Sequence, residues 1–124
     1  MANPNLLAAS TAYGTTTYLT PSNTTANVLL SNAASSGKVF KINQIVAANV
    51  NGSAAVPATV SIDNAASGAG TDFPIVSAVA VPANASLIVV DKTTSIYLME
   101  NSSIVVTSGI ASGITYSISY EDMS

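Results

Sequence analysis

The chain is 124 residues long and carries only nine charges, three lysines against six carboxylates, for a net charge of −3. It contains no cysteine, histidine, tryptophan or arginine. That excludes a disulfide framework, leaves a transition metal without nitrogen or thiolate ligands, and denies nucleic acid the clustered cations that neutralise phosphates.

Residues 1–12 open on Asn-Pro-Asn with a small apolar patch at Leu6 and Leu7 and no period, and read as an arm that is either disordered or docked on a neighbour. A single domain is expected over 13–124. Residues 15–19 are β-branched and aromatic, Pro21, Ser22 and Asn23 punctuate the chain, and 26–31 supply a second apolar run, which reads as strand, turn, strand. In 38–50, Phe40, Ile42, Val46, Ala48 and Val50 share one parity and Lys41, Asn43, Ala47 and Asn49 the other, the period of a half-buried antiparallel strand. Gln44 and Ile45 break that parity, and a β-bulge near Gln44 or a simple exception would each account for it. Asn51-Gly52 follows at once, the dipeptide favoured in tight hairpin turns.

Val60 and Ile62 point inward in 59–63, and 65–71 is a loop of Ala, Ser and Gly. In 73–81, Phe73, Ile75, Val79 and Val81 share a face, while Pro74 forbids a ladder bond and marks an edge or a strand start. Residues 86–90 are almost continuously apolar, as expected of a strand covered on both faces. Three further strands are expected at 96–99, 104–107 and 114–120, and in the last Ile114, Tyr116, Ile118 and Tyr120 alternate with Thr115, Ser117 and Ser119. Eight or nine short strands between regular turn signals predict an all-β, antiparallel β-sandwich of jelly-roll type.

Candidate chemistry is sparse. Asp63, Asp72, Asp91 and Glu100 are the carboxylates available for glycoside hydrolysis, but all four lie at turns, where Asp serves its own backbone, and no tryptophan offers a sugar platform. Asp63-Asn64 and the Asp91 region offer oxygens to calcium without the spacing of a calcium loop. A serine nucleophile would need Lys38, Lys41 or Lys92 as its base, and nothing distinguishes one of eighteen serines. Asn23, Asn51, Asn84 and Asn101 stand in glycosylation sequons that chance supplies in so Ser- and Thr-rich a chain. No catalytic, cofactor or metal residue is therefore assigned. The tyrosines read either as core rings with a hydroxyl at the rim or as interface anchors; Tyr13, Tyr18, Tyr116 and Tyr120 join Leu6 and Leu7 as the candidate interface residues.

No run of 18 apolar residues occurs, and no basic start leads into a long apolar stretch, so neither a membrane-spanning helix nor a secretory leader is expected, and synthesis in a cytoplasm is. A surface this poor in charge does little to keep copies apart, which points to a chain held in an assembly, the alternative being a thermally sturdy monomer with a neutral coat.

From Lys38-Val39-Phe40-Lys41-Ile42 onward the chain resembles small virion structural proteins of tailed bacteriophages, particularly those of aquatic hosts such as cyanobacteria. The likeness is carried by that lysine-flanked strand with its Asn-Gly turn, by Val81-Pro82-Ala83-Asn84-Ala85-Ser86-Leu87-Ile88-Val89-Val90-Asp91-Lys92, by Ile96-Tyr97-Leu98-Met99-Glu100-Asn101, by Ile104-Val105-Val106-Thr107-Ser108 and by the terminal Ser119-Tyr120-Glu121-Asp122. It departs from the pattern at Asn101-Ser102, where Gly or Asp is expected after Glu. The resemblance implies a β-sandwich set on a capsid as a cement or decoration trimer, or in the neck, tail or fibres. The expectation is thus a virion subunit without enzymatic activity or cofactor, whose partners are itself and other virion proteins such as the major capsid protein, and not nucleic acid or membrane. The alternatives are a neck, tail or fibre component in host attachment and a carbohydrate-binding sandwich.

Overall fold

The alternating segments become nine strands in a computed structural model that describes residues 4–124. In chain order they are β1 (Ala12–Leu19), β2 (Asn27–Asn32), β3 (Val39–Asn49), β4 (Val56–Asp63), β5 (Asp72–Val81), β6 (Ser86–Val90), β7 (Ile96–Leu98), β8 (Ser102–Ser108) and β9 (Ile114–Met123). One short 3-10 turn, Lys92–Thr94, separates β6 from β7. The first sheet has the order β1-β9-β3-β6, with β7 also on β3, and the second runs β2-β8-β4-β5. All pairings are antiparallel, and the two sheets pack face to face as a β-sandwich. The accessible surface is 6183 Å², in line with the roughly 6,000 Å² that size scaling gives a folded chain of this mass.

The core lies between the sheets. Ile42, Ile45, Ala47, Ile114, Tyr116 and Ile118 come from the first sheet and meet Val56, Ala58, Val60, Ile104 and Val106 from the second. The strict alternation of β9 therefore does what its period implies, burying one side and leaving Thr115, Ser117 and Ser119 on the other.

In β3 the inward set differs from the one read off the sequence. The pairing with β9 skips from Ile42 to Gln44, so Asn43 is the extra residue of a bulge. Beyond it the parity inverts: Ile45, Ala47 and Asn49 are buried, Val46 and Ala48 turn to the half-covered side, and Val50 is exposed. The bulge is present, but it switches faces instead of restoring the first one.

Three other expectations are corrected. Asn51-Gly52 is not a hairpin turn, because β3 and β4 lie in different sheets and the segment between them crosses the sandwich. Asn51 instead folds an Asx turn, its Oδ1 accepting from the Ser53 N–H and hydroxyl. β6 is covered on one face only, leaving Ile88 in solvent. In β5, Phe73 and Val79 are exposed, since register shifts break the common face with Val81, although Pro74 does lie in a terminal strand.

Two buried asparagines tie the layers. Asn32, at the end of β2, donates both amide hydrogens, to the carbonyls of Lys38 at 2.9 Å and Leu98 at 3.1 Å. Asn49, at the end of β3, does the same in the opposite direction, to Val81 at 2.8 Å and Ala54 at 3.0 Å. Each replaces backbone pairing that is lost where a strand ends, which is why an amide with two donors is tolerated without exposure.

Candidate interaction surfaces

The six residues singled out from the sequence fall into three places. Leu6 lies with Pro4, Val39, Tyr97 and Met99 around a shallow apolar groove of about 310 Å³ at one end of the first sheet. The arm is thus folded against its own domain over its described part, and residues 10 and 11 extend the β1–β9 ladder through backbone bonds to Ser124. The part of the arm formed by residues 1–3 lies outside the described residues. Leu7 points away from the groove and is 98% exposed.

Tyr13 and Tyr18 stand on β1, five residues apart and therefore on opposite faces, 64% and 75% exposed. Tyr116 is excluded as a surface anchor. Its side chain is wholly buried between the sheets, its hydroxyl donates to the Thr107 carbonyl on β8, and burial pushes its pKa up to about 12. Strand parity put it on the Ile114 and Ile118 side, and that side is the core. Tyr120, on the same side, is half-buried and stacks at a tilt on Phe40 with ring centres 5.0 Å apart. Desolvation raises its hydroxyl pKa, and the charge of Asp122 raises it further.

Sequence reasoning passed over Tyr97, Met99, Phe73 and Ile88, all large, apolar and exposed. Tyr97 and Met99 flank Leu98 in β7, and that three-residue alternation was the one signal available. Phe73 and Ile88 gave none, because their strands look more covered in sequence than they are.

Asp63, Asp72 and Glu100 lie at the same end of the sandwich as the apolar groove, where Asn32 ties the end of β2 to Leu98 and Ser102 and Ser103 pair with Asn32 and Asp63; no cluster of three or more potential metal ligands occurs among the described residues. Asp63 is fully buried and uses Oδ1 to hold the β4–β5 loop, accepting from Ala65 N–H at 2.7 Å and Gly70 N–H at 3.1 Å. Asn64 accepts from Thr71 N–H at 2.8 Å. Asp72 is the cross-strand partner of Asp63, and its carboxyl sits above the ordinary range, through desolvation first and then through the carboxyl of Asp63 beside it. Asn64, Glu100, Asn101 and Ser102 line a polar hollow of about 500 Å³ next to this loop.

Asp91 caps the 3-10 turn, and hydrogen bonds from Thr93, strengthened by Thr94, hold its carboxyl below the usual value. Lys38 and Asp122 form a surface ion pair at 3.2 Å. Both acids thus serve the backbone and the surface locally, as turn chemistry implies. No protein-family model and no curated protein sequence matches this chain.

Proposed function

We propose that this protein is a structural subunit of a bacteriophage virion, an all-β cement or decoration protein that works by being held between neighbours and carries out no reaction. The strand order, with β7 set aside, is read as a jelly roll: the pairs β1–β9, β2–β8, β3–β6 and β4–β5 follow from one long antiparallel ribbon wrapped across two sheets.

The observation that carries the reading is a surface that combines few charges with large exposed apolar side chains on both sheets and on the arm. Leu7, Tyr18, Ile88, Phe73 and Tyr97 are the principal ones. On a free monomer such groups are a liability for solubility, whereas at repeated contacts they are buried and modest gains are multiplied by symmetry.

The test is the mass of the purified protein by light scattering together with co-sedimentation on tailed-phage capsid shells. An oligomer that sediments with shells is the expected result. A strict monomer that ignores shells and binds or cleaves glycans ends this reading in favour of a carbohydrate-active sandwich.

A further inference from the structure

We propose that the outer edge of β1 joins this chain to a second copy of itself by antiparallel strand addition about a twofold axis at Thr16. The inference rests on the reading of the chain as an assembling subunit and names the surface it uses.

A sandwich has open strand edges, and edges left flat and uncharged pair with other chains. In this molecule the edges are treated unequally. β5 carries Pro74, two register shifts and a positive φ at Ala78, all of which bar a regular ladder. β2 is six residues long with a register shift between Val28 and Leu30, and its Ser31 hydroxyl is taken up by the Ala66 carbonyl of a neighbouring loop. On the far side of β3 the edge is split between β6 and β7 by the Lys92–Thr94 turn.

β1 has none of these devices. Its eight residues pair with β9 without a break, from Ala12 opposite Met123 to Leu19 opposite Tyr116. It contains no proline and no charge. Among the described residues, no backbone group of 12–19 bonds to anything but β9, so every second N–H and C=O faces outward without a protein partner. Most of the strand is exposed on both faces, so an added strand meets no overhanging layer.

The chemistry of this edge selects a copy of the chain. A peptide bearing charges finds no counter-charge along β1, while a second β1 brings none to repel it. Continuing the sheet about a twofold perpendicular to it keeps each side chain on its own face, which requires paired numbers to sum to an even value. Centred on Thr16, the register sets Thr15 against Thr17, Tyr13 against Leu19 and Gly14 against Tyr18. Gly14 has open space above it, and the exposed Tyr18 ring of the copy then covers that bare backbone, a pairing known to steady glycine in strands.

The experiment is light scattering on the full chain and its variants, with thermal melting to establish that each is folded. Wild type is expected to be at least dimeric, and Thr16→Lys, which sets two ammonium groups face to face, to halve the mass while still melting cooperatively, at a temperature that no longer rises with protein concentration. Mixing Thr16→Lys with Thr16→Glu is expected to restore the dimer as a heterodimer, and Ser77→Lys on the β5 edge to leave the mass unchanged. Should Thr16→Lys not fold, Tyr18→Lys supplies a second test, since it removes the ring expected over Gly14 of the copy and puts a charge on the edge, and it too is expected to halve the mass. A folded Thr16→Lys protein with the wild-type mass overturns the β1 proposal and leaves assembly through other surfaces standing. A monomeric wild type also overturns it, and shell co-sedimentation then decides the broader reading separately.

Discussion

β1 and β5 are both terminal strands, of eight and ten residues, and they meet solvent in opposite ways. β5 is bent by an internal proline and a left-handed alanine, and the loop that leads into it is drawn down onto a buried carboxylate. β1 is regular and neutral, and among the described residues its backbone is bonded only to β9. The contrast shows where the fold spends local structure: one edge is shaped so that nothing can extend it, the other is left as a template. If that is right, substitutions in the β4–β5 hairpin should act on stability and those along β1 on association.

The largest effect is expected at Asp63. Its removal as Asp63→Ala strips the acceptor from the Ala65 and Gly70 N–H groups inside a closed loop, at about 3 kcal/mol by urea unfolding, since two N–H groups lose their partner at once. Asp63→Asn keeps one oxygen and turns an amide donor toward Asp72, so it is expected to match wild type or exceed it at neutral pH. Gly70→Ala comes next, at about 2 kcal/mol. An added Cβ would lie 2.2 Å from Asn64 Oδ1 and 2.7 Å from Asp63 Oδ1, so the two side chains that tie the loop must both give way. Against these, Thr16→Lys on β1 should shift stability by no more than about 0.5 kcal/mol at protein concentrations too low for association, as surface changes usually do. A β1 substitution that unfolds the chain as readily as Asp63→Ala would erase the contrast.

The comparison also marks how far the sequence could be read. All nine strands were legible from turn residues taken with period two, β-branched content or an apolar run, all of which are local signals. What was not legible is which strand lies beside which. Only β4 and β5 are consecutive and paired, so an Asn-Gly that looks like a hairpin signal sits on a connection between sheets. Partner identity is set by long-range packing, which no local window contains. The same limit hid the surface: Tyr116 and Tyr120 share a parity and a composition, yet one is sealed beneath the second sheet and the other stands at its rim. Tyr13 and Tyr18 are exposed because β1 has too few apolar residues to need a covering layer, but nothing local set them apart from the other two tyrosines. Phe73 and Ile88 were hidden by bulges and by a missing neighbour, neither of which leaves a mark in residue type.

A smaller effect is expected at Ala78, which holds φ at +50° within β5 while its N–H donates to the Thr59 hydroxyl at 2.9 Å. A side chain in the left-handed region is strained by about 1 kcal/mol, and glycine gives part of that back as added freedom in the unfolded chain. Ala78→Gly is therefore expected to stabilise by about 0.5 kcal/mol, and a loss of stability would mean that the bend in β5 is held by packing and not by that one torsion.

The smallest effect is one of pH, and it also separates the two edges, since β1 has no group to titrate in the acid range. Desolvation and the neighbouring Asp63 carboxyl raise Asp72 above its ordinary 3.8, so the folded chain keeps that proton at a pH where the unfolded chain has released it. The native state then binds more protons, and its stability falls as pH rises from 3.8 through the raised value. Asp91 has the opposite sign. Its carboxyl is held below 3.8 by Thr93 and Thr94, so its contribution is present above that value and disappears as the pH falls through the lowered one. Melting curves between pH 7 and pH 3 should accordingly show wild type gaining on Asp72→Asn as the solution is acidified toward 3.8. Asp91→Asn should instead lose its deficit relative to wild type only below that point. A wild type and Asp72→Asn that track one another across the whole range would mean that the two carboxyls at the mouth of the hairpin do not share their environment, and the β5 edge would then owe its shape to Pro74, Ala78 and Gly70 alone.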